Sequence, residues 1–183
     1  VGEPVWANRV EADVVTNQLA SARSFVIVIG DGKGAGDLWA QRELKKGVAH
    51  FVSQLGPADV AALVYPARSH PSQSFTRDHA KLTSAVEPFG TTTVGALGIC
   101  EPSRLLPETM LYLTQDLGTV PGSRKAIIYF GGGLYIEKSP DECGAHQLWM
   151  DLFAAAQMQH VSIYPIDTKG LRVGAAAQRV VDD

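Results

Sequence analysis

Phe25-Val26-Ile27-Val28-Ile29 is an unbroken apolar run, mostly β-branched, and it feeds directly into a turn with Gly30, Gly32, Gly34 and Gly36 at every second position. A strand with one wet face alternates apolar and polar residues. A run without polar interruption needs cover on both faces, the situation of a strand inside a parallel sheet. Beyond the turn, Leu44, Val48, Phe51, Val52 and Leu55 recur at the spacing of one helix face. Strand, glycine-rich turn and helix together build the lip of the ligand crevice in an open α/β sheet, just past the carboxyl end of a central strand.

The rest of the sequence repeats the alternation. Residues 59–65, 125–130 and 161–166 read as further strands, and 73–76 as a short antiparallel edge strand. Helices are expected over 37–55, 78–86, 104–117 and 145–159, with Gly56-Pro57 stopping the first and Asp78 capping the second. Residues 1–8 read as a lead-in, 9–22 as a short helix packed on the domain, and 173–181 as a helical tail. The expected fold is α/β: a doubly wound, mostly parallel sheet in one domain spanning residues 1–183.

With 183 residues, 45% of them hydrophobic, the chain can bury one sizeable core. Its net charge of −3, with no basic cluster larger than Lys45-Lys46, argues against a nucleic-acid partner. No apolar run is long enough for membrane insertion. A start at Val1, without methionine or a signal-like segment, reads as an excised domain or a processed protein.

No catalytic constellation emerges. His50, His70, His79, His146 and His160 lie in separate segments without metal-ligand spacing, and no G-x-S-x-G elbow exists. The stretch from Gly30 to Ala35 fits G-x-G-x-x-A, so a nucleotide- or dinucleotide-binding enzyme domain using the Gly30–Gly36 turn is an alternative. Against it, the second strand runs out near Ala67-Arg68 without the acid that a ribose requires. A P-loop is excluded, because Gly34 follows Lys33 and Ile27 stands where the first glycine belongs.

Three loops, DGKGAG at 31–36, GTTTVGAL at 90–97 and FGGG at 130–133, stand at or near strand ends. With the pieces QLGPADVAALVY, SRKAIIYFGGGL and VSIYPIDTKGL, they resemble a von Willebrand factor A (VWA) domain over about residues 24–171. The nearest likeness is to the bacterial, acidobacterial-type VWA-related domains. The resemblance implies a three-layer α/β/α arrangement around a six-stranded sheet, and another protein as partner. In that family a D-x-S-x-S loop, a threonine and an aspartate hold Mg²⁺ in near-octahedral oxygen coordination, with one position open for a partner's carboxylate.

Carried onto this chain, Asp31 matches the first aspartate, while Lys33 and Ala35 stand where the two serines belong. Thr91 or Thr92 supplies the threonine hydroxyl, and Gly132 falls at the third-loop aspartate. In a second register Gly30 lies opposite the first of two acids and Asp31 is the second. Either way the adhesion site is depleted, so no cofactor is expected and Mg²⁺ would be weakly held at most. The Lys33 ammonium is expected near Asp31 in the cation's place; at about 4 Å and an effective dielectric near 20 such a pair is worth roughly 4 kcal/mol. Two plainer readings compete: Asp31 bonding its neighbours' backbone N–H groups, and Thr91, Thr92 and Thr93 satisfying loop backbone.

The resulting expectation is a non-catalytic interaction module whose binding rim comprises 31–39, 90–100, 131–144 and 167–170, Asp167 included. Trp39, like Trp6 and Trp149, reads as packing; its place beside the lip also suits an exposed anchor. Cys100 and Cys143 fall in loops that this fold places on one face, as a disulfide or as two free thiols. The resemblance also implies export, and a purely structural part of an exported protein is the remaining alternative.

Overall fold

The computed structural model describes residues 22–30, 38–90, 100–120, 124–132 and 143–168. Five strands and four helices alternate along them: β1 (Arg23–Ile29), α1 (Leu38–Ser53), β2 (Val60–Val64), β3 (Gln73–Thr76), α2 (His79–Val86), α3 (Glu101–Gly118), β4 (Arg124–Gly131), α4 (Ala145–Met158) and β5 (Val161–Asp167). The sheet order is β3-β2-β1-β4-β5. Strands β2, β1, β4 and β5 are parallel, and β3 runs antiparallel on the outer side of β2.

Strand β1 is buried along its apolar length, and its alternation divides the interior in two. Phe25, Ile27 and Ile29 enter a core with Leu44, Val48 and Val52 of α1 and Leu82 and Val86 of α2. Val26 and Val28 enter a second core with Met110 and Leu117 of α3 and Trp149 and Leu152 of α4. The register keeps the two sets apart: Ile27 sits level with Leu63 of β2 and Ile128 of β4, both members of the first core. A slip of one residue would exchange every partner, which fixes the pairing.

The helices follow from their stripes. Ala40, Leu44, Val48 and Val52 make one buried line on α1 at four-residue spacing. Gly47 lies within that helix, where a Cβ would stand 3.0 Å from the Phe130 ring, so its absence lets α1 approach β4 closely. Asp78 caps α2 by accepting a hydrogen bond from the Ala80 N–H at 3.1 Å. Lys125 donates to the Gly118 carbonyl at 3.0 Å, closing the end of α3 and aiming the chain into β4.

Two expectations differ from the structure. Helix α3 starts at Glu101, not at 104. Pro102 suggests a boundary, but it occupies the first turn, where the missing N–H has no intrahelical partner to lose. The described residues contribute five strands, not six. The expected helices at 9–22 and 173–181 lie outside the described residues. Just past β5, Thr168 N–H points to Gly131 of β4, so by alternation Pro165 lies on the side of β5 away from β4, which is an edge among the described residues, and removes a donor there. Edge strands use proline in this way to discourage further pairing.

At the amino end of the sheet, Asp59 is 4% exposed and gathers four donors. Arg23 donates from its backbone N–H at 3.1 Å, from Nε at 3.0 Å and from an Nη, and Gly56 N–H donates at 2.7 Å. The Arg23 guanidinium also lies over the Phe25 ring, 5.2 Å from its centroid. The hydrogen bond from the Arg23 side chain, helped by the Gly56 and Arg23 backbone N–H groups, holds the Asp59 carboxyl below its ordinary value despite burial. Asp59→Ala is therefore expected to cost about 2 kcal/mol, the loss of charge-assisted bonds to part-buried donors. The side chain of Arg23 is 43% exposed, and solvent screening keeps the figure near that level. A depressed carboxyl contributes in full above its unfolded pKa, near 4, and loses that contribution as pH falls through the lower folded value. Urea midpoints of the native protein and Asp59→Ala should converge over that acidic window, and a gap that persists below it would contradict the assignment.

Candidate functional site

The strand order reverses between β1 and β4, so an α/β sheet of this kind offers its ligand crevice at their carboxyl ends. Here the two ends are drawn together. Gly30 N–H donates to the Phe130 carbonyl at 2.7 Å. A Cβ on Gly30 would stand 2.8 Å from the Tyr129 hydroxyl and 3.0 Å from the Gly131 Cα. A Cβ on Gly131 would collide with the same phenol, which fills that side of the junction. Tyr129 is itself 5% exposed. Glycine at both places is thus a steric requirement of the phenol and the neighbouring backbone.

Strand β5 is tied to the same point. Thr168 donates from its N–H at 2.8 Å and from its hydroxyl at 3.2 Å to the Gly131 carbonyl. Gly132 follows, exposed and with no side chain to offer a ligand. Asp167 lies level with Gly131 at the exposed end of β5. Asp31, Lys33, Ala35, Thr91 and Thr92 lie outside the described residues. Among the described residues no group of three or more His, Cys, Asp or Glu side chains could hold a metal ion.

The helices that begin on this face form its rim. Leu38 and Trp39 open α1 and are 70% and 54% exposed, whereas Trp149 is buried in the α4 core. Packing alone therefore does not describe Trp39. Cys100, at the N-cap of α3, and Cys143, just before α4, form a disulfide with 5.1 Å between their Cα atoms. Gly144 turns the chain into α4 with a φ of +70°, a conformation that side chains with a Cβ rarely adopt. Arg104 Nη1 donates to the Cys143 carbonyl at 3.3 Å, a second tie across the same pair of helix starts. Farther along the rim, a groove of about 550 Å³ separates the 65–68 turn from α3; Tyr65, Pro66 and Arg68 form one wall and Glu101, Glu108 and Tyr112 the other. Tyr65 and Pro66 stand where a dinucleotide site would need its acid, so this end of β2 does not offer one.

Sequence reasoning placed Thr168 on the rim but missed the contacts that Tyr129 and Thr168 make. The first lies inside an apolar strand pattern in which a tyrosine is unremarkable. The second is a threonine just past a strand, with nothing local to show that its hydroxyl reaches 37 residues back.

No family model and no curated protein matches the sequence. Among solved structures, the chain is similar to the crystal structure of the SpRpn10 VWA domain with a TM-score of 0.42 and 12% identity, over 90% of this chain and 96% of that one.

Two outcomes check the geometry. Gly30→Ala should destabilise the protein by about 1–3 kcal/mol, because the new methyl meets backbone and a buried ring that have little room to shift. Removing the disulfide through Cys100→Ser with Cys143→Ser should lower stability by up to about 4 kcal/mol, from the loop entropy returned to the unfolded chain. Denaturant midpoints of each variant give the measurement, and a native-like midpoint in either would contradict the corresponding role.

Proposed function

We propose that this chain is a non-catalytic protein-interaction module of VWA type, binding another protein on the rim at the carboxyl ends of the strands. The observation that carries the reading is the pair Leu38 and Trp39, two large apolar side chains at the start of α1 that keep more than half of their surface exposed. Large exposed apolar groups beside a rigid polar framework are how protein-binding surfaces present anchors, and tryptophan is prominent among residues that dominate binding energy. The disulfide between Cys100 and Cys143 supports the reading, since it fixes the spacing of two other rim elements. The junction between β1 and β4 is filled by Tyr129 and closed by backbone contact, which favours binding on the rim over binding in the crevice.

On this reading the adhesion site of the VWA pattern is degenerate. Lys33 and Ala35 replace the hydroxyl ligands and Gly132 replaces the third-loop acid. A partner is then held through apolar side chains, backbone groups and threonine hydroxyls, without a bridging cation.

Leu38→Ser with Trp39→Ala should abolish recovery of the partner taken up by the native domain. In titration, Trp39→Ala alone should weaken binding at least roughly 30-fold, as for a hot-spot residue. Its own stability should change by less than about 1 kcal/mol, because the side chain is half exposed. Unchanged affinity in the double variant would refute the assignment of the rim. Separately, sub-millimolar Mg²⁺ or Mn²⁺ should leave the melting temperature unmoved, whereas a specific site would raise it by mass action. A clear metal-dependent rise would overturn the degenerate-site reading while leaving the Trp39 result intact.

A further inference from the structure

The groove between the 65–68 turn and α3 carries opposite charges on its two walls. Glu101, Leu105, Glu108 and Tyr112 fall at i, i+4, i+7 and i+11, one stripe of α3, and line the helical wall. Arg68 lines the wall facing them. Among the described residues neither Arg68 nor Glu108 takes part in an ion pair. Two carboxylates against one guanidinium leave the groove with an excess of negative charge on its helical side. Both walls are held in place. Tyr65 is buried, its hydroxyl donates to the Ala85 carbonyl at 2.8 Å, and its ring packs against those of His70 and Phe89. Arg68 N–H closes the turn on the Tyr65 carbonyl at 3.0 Å, and Arg68 itself has a φ of +53°, a left-handed conformation that costs energy outside glycine. Helix α3 is tied at its start by the bridge between Cys100 and Cys143.

We propose that this groove receives an arginine side chain presented by the partner protein, an inference that rests on the rim reading and adds the chemistry of what docks there. Charge complementarity selects the occupant. The Glu108 carboxylate accepts charge-assisted hydrogen bonds from a guanidinium, and Tyr112, one turn farther along the helix and 62% exposed, offers an aromatic ring to the same flat cation. Val64, Pro66 and Leu105 line the groove with apolar surface that suits the aliphatic stem. Arg68 repels a cation from the opposite wall, so the incoming head group settles against α3. At about 550 Å³ the groove has room for one long side chain and the peptide units beside it.

Amide chemical shifts of the whole chain, followed during titration with short capped peptides, test the proposal. Each peptide is glycine and serine around one central residue: arginine, citrulline (the same shape without the charge) or glutamate. The arginine peptide should shift the amides of 64–68 and 105–112 saturably, with a Kd of roughly 1 mM or tighter. Citrulline in its place should bind at least about tenfold more weakly, and Glu108→Gln should cost the arginine peptide a similar factor. Arg68→Gln should act in the opposite direction and tighten binding by about two- to threefold, because it removes a repulsion. Absence of saturable shifts with the arginine peptide would overturn the proposal. So would shifts confined to another face, equal binding of citrulline, tighter binding of glutamate, or a loss of affinity in Arg68→Gln. The titration uses no partner protein, so a negative result counts against the groove alone, while a partner indifferent to Leu38 and Trp39 counts against the rim.

Discussion

Strand β1 has water on neither face, and every other element is placed by that fact. Its odd residues require one set of partners and its even residues another, so α1 and α2 must pack on one side of the sheet while α3 and α4 pack on the other. Flanking β1 with β2 and β4 satisfies its backbone on both edges, and the parallel pairing demands helical crossovers that supply the cover. Two-sided burial of five residues therefore dictates the layer order and, with the strand order, the position of the crevice between β1 and β4.

The two ends of that strand are finished by different chemistry. At the amino end, a single buried carboxylate, Asp59, collects the Arg23 side chain and two backbone N–H groups and sets where β1 and β2 begin. At the carboxyl end the contacts that close the junction among the described residues are uncharged. The Gly30 N–H reaches the Phe130 carbonyl, the Tyr129 phenol occupies the space beside both glycines, and Thr168 secures the neighbouring strand. The ion pair lies at the opposite end of the sheet from the exposed side chains on the helix starts.

Much of this was written in local pattern. The apolar run 25–29, the four-residue stripe of α1, the Asp78 cap and the antiparallel 73–76 edge each depend on near neighbours, and each is found where the sequence places it. What depends on distant contacts was not legible. The start of α3 was hidden because Pro102 signals a boundary unless the helix is known to begin just before it. Trp39 carries the same side chain as Trp149, and only the layout of layers decides that one meets water and the other a core. Tyr129 and Thr168 acquire their roles from glycines on other turns. Of the positions expected from the VWA resemblance, Gly132 lies among the described residues, whereas Asp31, Lys33, Ala35, Thr91 and Thr92 lie outside them.

The bridge between Cys100 and Cys143 encloses α3 and all of β4 within a covalent ring of 43 residues' separation. Strand β4 lies between β1 and β5, inside the sheet. Tension applied through the two chain ends would then bypass it: force travels across the sulfurs, and the enclosed segment cannot be drawn out. At about 3.5 Å per residue, roughly 150 Å of contour would stay locked until the bond is reduced. A domain wired in this way can lose its outer strands under load and still keep a covalently closed remnant, its two helix starts held side by side, from which to re-form the sheet.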